Sequence, residues 1–168
     1  VQTLNASSTP LIDTFTVFTA DGTSQVITIT INGSNDWSNQ VGNYLFLNGQ
    51  QAYASATLNA STLIGFIQKD VVVSTTVTAL PSGQFAGLMA RYSGPGDTNM
   101  YWAGLGLNND GTGTALLYRN IGGTWTELAR QNIGHIIGSQ AMRFEVINDS
   151  LKLFVNNSLA VFAYDSAL

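Results

Sequence analysis

The sequence predicts an all-β fold, an antiparallel two-sheet β-sandwich of jelly-roll type. Three observations predict it. Short runs of alternating polar and apolar residues follow one another along the chain, the period-2 pattern of strands with one buried face. Gly, Asn, Asp and Pro cluster between these runs, and Gly and Asn accept the positive φ that tight hairpin turns require. Helical periodicity is almost absent. Its best instance, Ser61 to Lys69, spans only two turns and contains Gly65, so it reads as a loop or short helix.

Taken in order, the first two runs are Thr14 to Thr19 and Gln25 to Asn32, joined by Ala20-Asp21-Gly22-Thr23. They read as a hairpin. Further strands are expected at Asn43–Leu47, Gln51–Leu58, Asp70–Ala79, Phe85–Tyr92 and Asn99–Leu107. Thr114–Asn120, Thr124–Arg130, Ala141–Asn148, Leu151–Asn156 and Leu159–Tyr164 complete the set. Their connectors are Asn48-Gly49, Pro81-Ser82-Gly83, Asn109-Asp110-Gly111, Gly122-Gly123, Asn148-Asp149-Ser150 and Asn156-Asn157. Successive short strands with short turns build antiparallel sheet pairs. Alternation puts Tyr101, Ala103, Leu105 and Leu107 on one face and Met100, Trp102, Gly104 and Gly106 on the other. Arg91 sits in an apolar strand and needs a carboxylate or several carbonyls. Glu127 and Glu145, the only glutamates, are the expected partners.

Composition narrows the function. The chain has 168 residues, 45% hydrophobic and 10% charged, against roughly 25% charged in an average globular domain. Its polar surface must therefore be built from Thr, Ser, Asn, Gln and Gly, a profile of β-rich extracellular proteins. The six Lys and Arg are scattered and the net charge is -4, so no basic patch exists to neutralise phosphates, and nucleic acid binding is set aside. No apolar stretch is long enough for a membrane helix, and no signal peptide is visible. Without cysteine there are no disulfides and no Cys-ligated zinc.

Two resemblances follow from longer stretches. Ala20 to Gln25 followed by Val26 to Asp36 resembles the closing hairpin of a VCBS repeat, the cadherin-like repeat of large secreted bacterial proteins. Beyond it, four stretches resemble a concanavalin A-like (laminin G-like) jelly roll: Trp37 to Ala52, Gly87 to Leu105, Leu116 to Ala129 and Met142 to Leu168. The resemblance implies one sandwich over residues 1–168, with 1–36 supplying N-terminal strands and 37–168 the laminin G-like portion; the rival reading makes 1–36 part of a truncated neighbouring repeat. It further implies a secreted or cell-surface module of an adhesin-type or exoenzyme protein. Its partner would be a glycan or other cell-surface ligand, often bound with calcium. The family has one more strand after Asp165-Ser166-Ala167-Leu168, so a strand-swapped homodimer is a further expectation.

Candidate sites follow from residue chemistry. Sugars stack on exposed aromatic rings beside Arg, Asn and carboxylates, which singles out Trp102 and Trp125 with Arg91, Arg119 and Arg143 as ligand-binding candidates. Tyr101 reads as core instead. Asp36, Asp97 and Asp165 are the calcium candidates, since the ion takes about six to eight oxygens; their alternative role is turn stabilisation. As an alternative function, Glu127 and Glu145 would be the acid and base of a hydrolase, or an Asp–calcium pair would activate water. The clustered carboxylates of the superfamily's enzymes are absent, and an ion-pair role competes. A structural spacer is the third reading. His135 is expected in a loop between strands. No G-x-S-x-G elbow and no phosphate-binding loop before a helix occurs.

Overall fold

A computed structural model describes residues 11–18, 22–31, 37–42, 44–47, 51–54, 59–63 and 68–168. The described residues contain no helix. The chain divides into two compact units, Val1–Gly65 and Phe66–Leu168.

In the first unit, β1 (Leu11–Phe18) and β2 (Ser24–Ile31) form the expected hairpin, with Phe18 opposite Ser24 and Leu11 opposite Ile31. β3 (Trp37–Val41) pairs antiparallel with β6 (Ala60–Leu63), and β4 (Tyr44–Leu47) with β5 (Gln51–Ala54). The segment expected as loop or short helix thus contributes Ser61 to Leu63 to a strand. Thr62 and Leu63 bring β-branching and apolar bulk, and cross-strand pairing with Ser38 and Trp37 outweighs a weak helical pattern.

The second unit is an eight-stranded sandwich. β7 is Val71–Val77, β8 Phe85–Ala90, β9 Met100–Leu107, β10 Thr112–Ile121, β11 Thr124–His135, β12 Gln140–Ile147, β13 Ser150–Val155 and β14 Ser158–Tyr164. One antiparallel sheet has the order β11-β10-β9-β8 and the other β14-β13-β12-β7. Their facing sides alternate as the sequence requires. Leu88, Ala90, Tyr101, Ala103, Leu105, Ala115 and Leu117 from the first sheet meet Met142, Phe144, Val146, Leu151, Leu153, Val155 and Val161 from the second. Tyr101, Phe144 and Leu117 are wholly buried, so the expected core role of Tyr101 holds. β11 runs on to His135, which ends a strand instead of lying in a loop, because Thr112 still pairs with it across the sheet.

Arg91 finds other partners than the two glutamates. It leaves β8 in a left-handed conformation, φ 52°, which turns its side chain to the end of the sandwich. There Nε donates to the Lys69 carbonyl at 2.7 Å and Nη1 to that of Leu168 at 2.7 Å. Nη2 reaches the Asn148 carbonyl and the Asp70 carboxylate. The head is nearly buried, with 5% of its side chain exposed. Three carbonyls and one carboxylate satisfy the planar fork, and Arg91 ties β7, the β12–β13 turn and the chain end together.

Candidate functional site on the outer face of the first sheet

The outer face of the β8–β11 sheet carries the aromatic side chains Phe85, Trp102, Tyr118 and Trp125. Register places Met89, Trp102, Tyr118 and Glu127 in one row across all four strands. Gly87, Gly104, Leu116 and Arg130 form the row beside it, and Met100, Asn120 and Trp125 the row on the other side.

Two glycines decide how Trp102 lies. A Cβ on Gly87 would stand 2.3 Å from Trp102 Cε2, and one on Gly104 would stand 2.3 Å from Trp102 Cη2. The indole therefore lies flat across the glycines. Phe85 does the same over Gly106, whose added Cβ would fall 2.5 Å from the phenyl ring. Tyr118 follows Trp102 at 6.1 Å between ring centroids, and Trp125 follows Tyr118 at 6.1 Å, nearly edge-on. Trp125 is 40% exposed and Phe85 63%.

A bulge sets the polar groups. Tyr118 faces Glu127 while Leu117 faces Ala129, so the extra residue Leu128 shifts the register. Strict alternation would put Glu127 and Arg130 on opposite faces; the bulge re-aims the strand and brings them side by side. Glu127 Oε2 accepts from Arg130 Nη2 at 2.6 Å and from the Tyr118 hydroxyl at 2.7 Å. Arg130 first, then Tyr118, hold the Glu127 carboxyl below its ordinary range, and Glu127 in turn raises the Tyr118 phenol. Glu127 is thus a fixed anion and Tyr118 a neutral donor.

At the end of the face, the loop before β9 leans in through Asp97. Its Oδ2 accepts from Trp125 Nε1 at 3.0 Å, and its Oδ1 and carbonyl accept from Asn120 Nδ2 at 3.2 and 3.1 Å. Asn120 is buried, and its Oδ1 has no hydrogen-bond partner among the described residues. Asp97 thereby fixes the plane of Trp125.

The other candidates lie elsewhere. Arg119 points from β10 to the opposite side and pairs with Asp165 at 2.6 Å. Asp165 also accepts from the Tyr101 hydroxyl at 2.6 Å and the Ala167 amide at 3.0 Å. Burial pushes its carboxyl up, but the Tyr101, Ala167 and Arg119 contacts outweigh it, and the net shift is down. Arg143 and Glu145 pair with each other on the outer face of the second sheet, where Arg143 also sits 4.0 Å over the Phe154 ring. Glu127 and Glu145 therefore face away from each other across both layers. An acid–base pair for glycoside hydrolysis needs carboxylates about 5 to 10 Å apart around one bond.

The calcium candidates do not converge among the described residues. Asp97 and Asp165 belong to separate hydrogen-bond networks, and Asp36 lies outside the described residues. No three His, Asp or Glu of the described residues gather into a cation cage. Asp110 plays the turn role instead, accepting from the Thr112 amide at 2.9 Å and hydroxyl at 2.7 Å, which lowers its carboxyl.

Sequence reasoning had singled out Trp102 and Trp125, and the fold brings these together around Tyr118. It missed Arg130, Asn120 and Phe85. A bulge decides the first, a loop contact the second and a glycine on a neighbouring strand the third.

No protein-family model matches the chain, and no curated protein sequence does. Among solved structures it is similar to the carbohydrate-binding module CBM66 from Bacillus subtilis, with a TM-score of 0.65. The two are 14% identical, over 79% of this chain and 81% of that one. The likeness is one of fold, and it agrees with the all-β sandwich expected from the sequence.

Proposed function

We propose that this chain is a carbohydrate-binding module, and that its ligand lies on the outer face of the β8–β11 sheet. The observation that carries the reading is the file of Trp102, Tyr118 and Trp125, held at 6.1 Å spacings beside the Glu127–Arg130 pair. Sugar rings present apolar C–H faces and polar rims. A flat indole takes the face, and an adjacent carboxylate and guanidinium take the hydroxyls. Both requirements meet here on rigid strands, so little ordering entropy is lost on binding. The fold shared with a carbohydrate-binding module supports the reading. We further place the module in a secreted or cell-surface bacterial protein, on the low-charge composition and the VCBS-like hairpin.

The test is titration calorimetry of the full chain against a panel of polysaccharides, with Trp102→Ala, Trp125→Ala and Arg143→Ala variants. Each tryptophan variant should lose about 30-fold in affinity, about 2 kcal/mol, the cost of truncating a stacking anchor. Arg143→Ala, on the other outer face, should bind as the parent does. Binding that survives both tryptophan changes, or that is lost with Arg143, would move the site off this face.

A further inference from the structure

We infer that the aromatic face takes an uncharged polysaccharide along several consecutive units of its length, and not a charged glycan or a chain end. The inference rests on the carbohydrate reading above and adds the class of ligand.

The argument for an uncharged ligand counts cations. The chain has six Lys and Arg, and the structure places all of them. Arg91 is enclosed by carbonyls and Asp70 at the end of the sandwich. Arg119 is paired with Asp165 on the inner side. Arg143 and Lys152 belong to the outer face of the second sheet, and Lys69 precedes β7. Arg130 alone stands on the aromatic face, and Glu127 occupies its Nε and Nη2. Asp97 adds an anion there. A sulfate, uronate or phosphate group would meet a neutralised guanidinium, a fixed carboxylate, and a chain of net charge -4. Like charges that face each other across an interface oppose binding.

The argument for an internal stretch of chain is geometric. Phe85, Trp102, Tyr118 and Trp125 stand on β8, β9, β10 and β11 in turn, so rings occur on every strand of the sheet. Three inter-strand steps span about 14 Å. The two centroid separations of 6.1 Å are each comparable to one sugar unit, so a ligand that touches all the rings contains several. Recognition of a chain end needs a closed pocket that stops the chain. Two recesses among the described residues lie off this face. One, of about 310 Å³, opens between Leu80, Leu105 and Ile136. The other, of about 390 Å³, lies by Ser74, Arg143 and Phe154.

The experiment uses the full chain in two stages. First, neutral polymers (β-glucan, xylan, mannan, galactan, fructan) and anionic ones (alginate, polygalacturonate, sulfated galactan) are titrated at low and high salt. Then oligosaccharides of one to six units, cut from each neutral polymer that binds, are titrated with free and reduced ends. Affinity should rise about tenfold or more from one unit to four, ignore reduction of the end, and change little with salt. Trp125→Ala should flatten the rise of affinity with chain length, so that the tetramer's advantage over the single unit shrinks. A monosaccharide bound as tightly as the tetramer, or loss of binding on end reduction, overturns the internal-chain inference while the carbohydrate reading stands. Preferred, salt-sensitive binding of an anionic polymer overturns the uncharged-ligand inference in the same way. No binding to any polymer removes both.

Discussion

Asp165 holds the inner end of the sandwich through three contacts, and its charge is what the contacts share. Tyr101 and Ala167 donate to one carboxylate oxygen and Arg119 to the other, with only 10% of the Asp165 side chain exposed. Asp165→Asn keeps an acceptor for Tyr101 but leaves Arg119 without a counter-charge. Removing one partner of a buried pair costs about 3 kcal/mol or more, and urea unfolding at pH 7 should report that loss. The pH dependence follows from the sign of the shift. The folded carboxyl is held below its unfolded value, so its contribution is complete above about pH 4 and fades as pH falls through the folded value. The gap between parent and Asp165→Asn should therefore narrow below about pH 4. An equal gap at pH 7 and pH 3 would mean that shape, not charge, carries the effect. At this scale the sequence was partly legible. It announced that Arg91 needs carbonyls or a carboxylate, since a cation in an apolar strand always does. It pointed to Glu127 and Glu145, the wrong carboxylates, because the αL turn at Arg91 is a backbone choice with no residue signature outside Gly and Asn.

The hairpin grammar of the strands was legible because its signals are local. Gly122-Gly123 and Asn156-Asn157 turn with positive φ, as their residue types demand, and the strands between such turns follow. Short pairs such as β3 with β6 were not legible: four or five residues carry too little alternation, and their partner is far along the chain. The bulge in β11 was hidden for a related reason, since Leu128 and Ala129 both pack against the core and alternation cannot say which is the extra residue. The glycines of β8 and β9 were visible as residues, but their purpose lies between strands. Gly87→Ala tests it. The three nearest atoms its Cβ would meet all belong to the Trp102 indole, so the ring is pushed off the sheet while the backbone stays. Binding should fall about tenfold or more, with unfolding temperature close to the parent's. Gly104→Ala meets the Ala86 carbonyl oxygen at 2.5 Å as well, so the backbone must move, and a loss of about 1–3 kcal/mol in stability should accompany the lost affinity. Calorimetry for binding and a thermal melt for stability separate the two. A Gly87→Ala protein that binds normally would show that the flat seat of Trp102 is irrelevant to the ligand.

The whole chain poses the question of what one domain needs. Sequence resemblance reads a seam at Asp36–Trp37 within one sandwich, whereas compactness divides the chain at Gly65–Phe66. That boundary has no signature in composition, because strands of similar make-up lie on both sides of it. The second unit closes a core between its own two sheets, with fourteen buried residues drawn from both, and each of its eight strands is paired within it. The β1–β2 hairpin, by contrast, exposes Ile12, Phe15, Val26 and Ile29, and an isolated hairpin is marginally stable in water. Residues 66–168 should therefore fold alone. The fragment should unfold in urea as one cooperative transition, and it should keep glycan affinity within about twofold of the full chain, since every ring of the aromatic face lies in it. A fragment that is molten, with lost near-ultraviolet dichroism and exposed apolar surface, would make the first unit part of the sandwich's own stability, as the laminin G-like resemblance over 37–168 implies. Cooperative unfolding with lost binding would give a third answer: the fold closes within residues 66–168, but the ligand needs groups from the first 65.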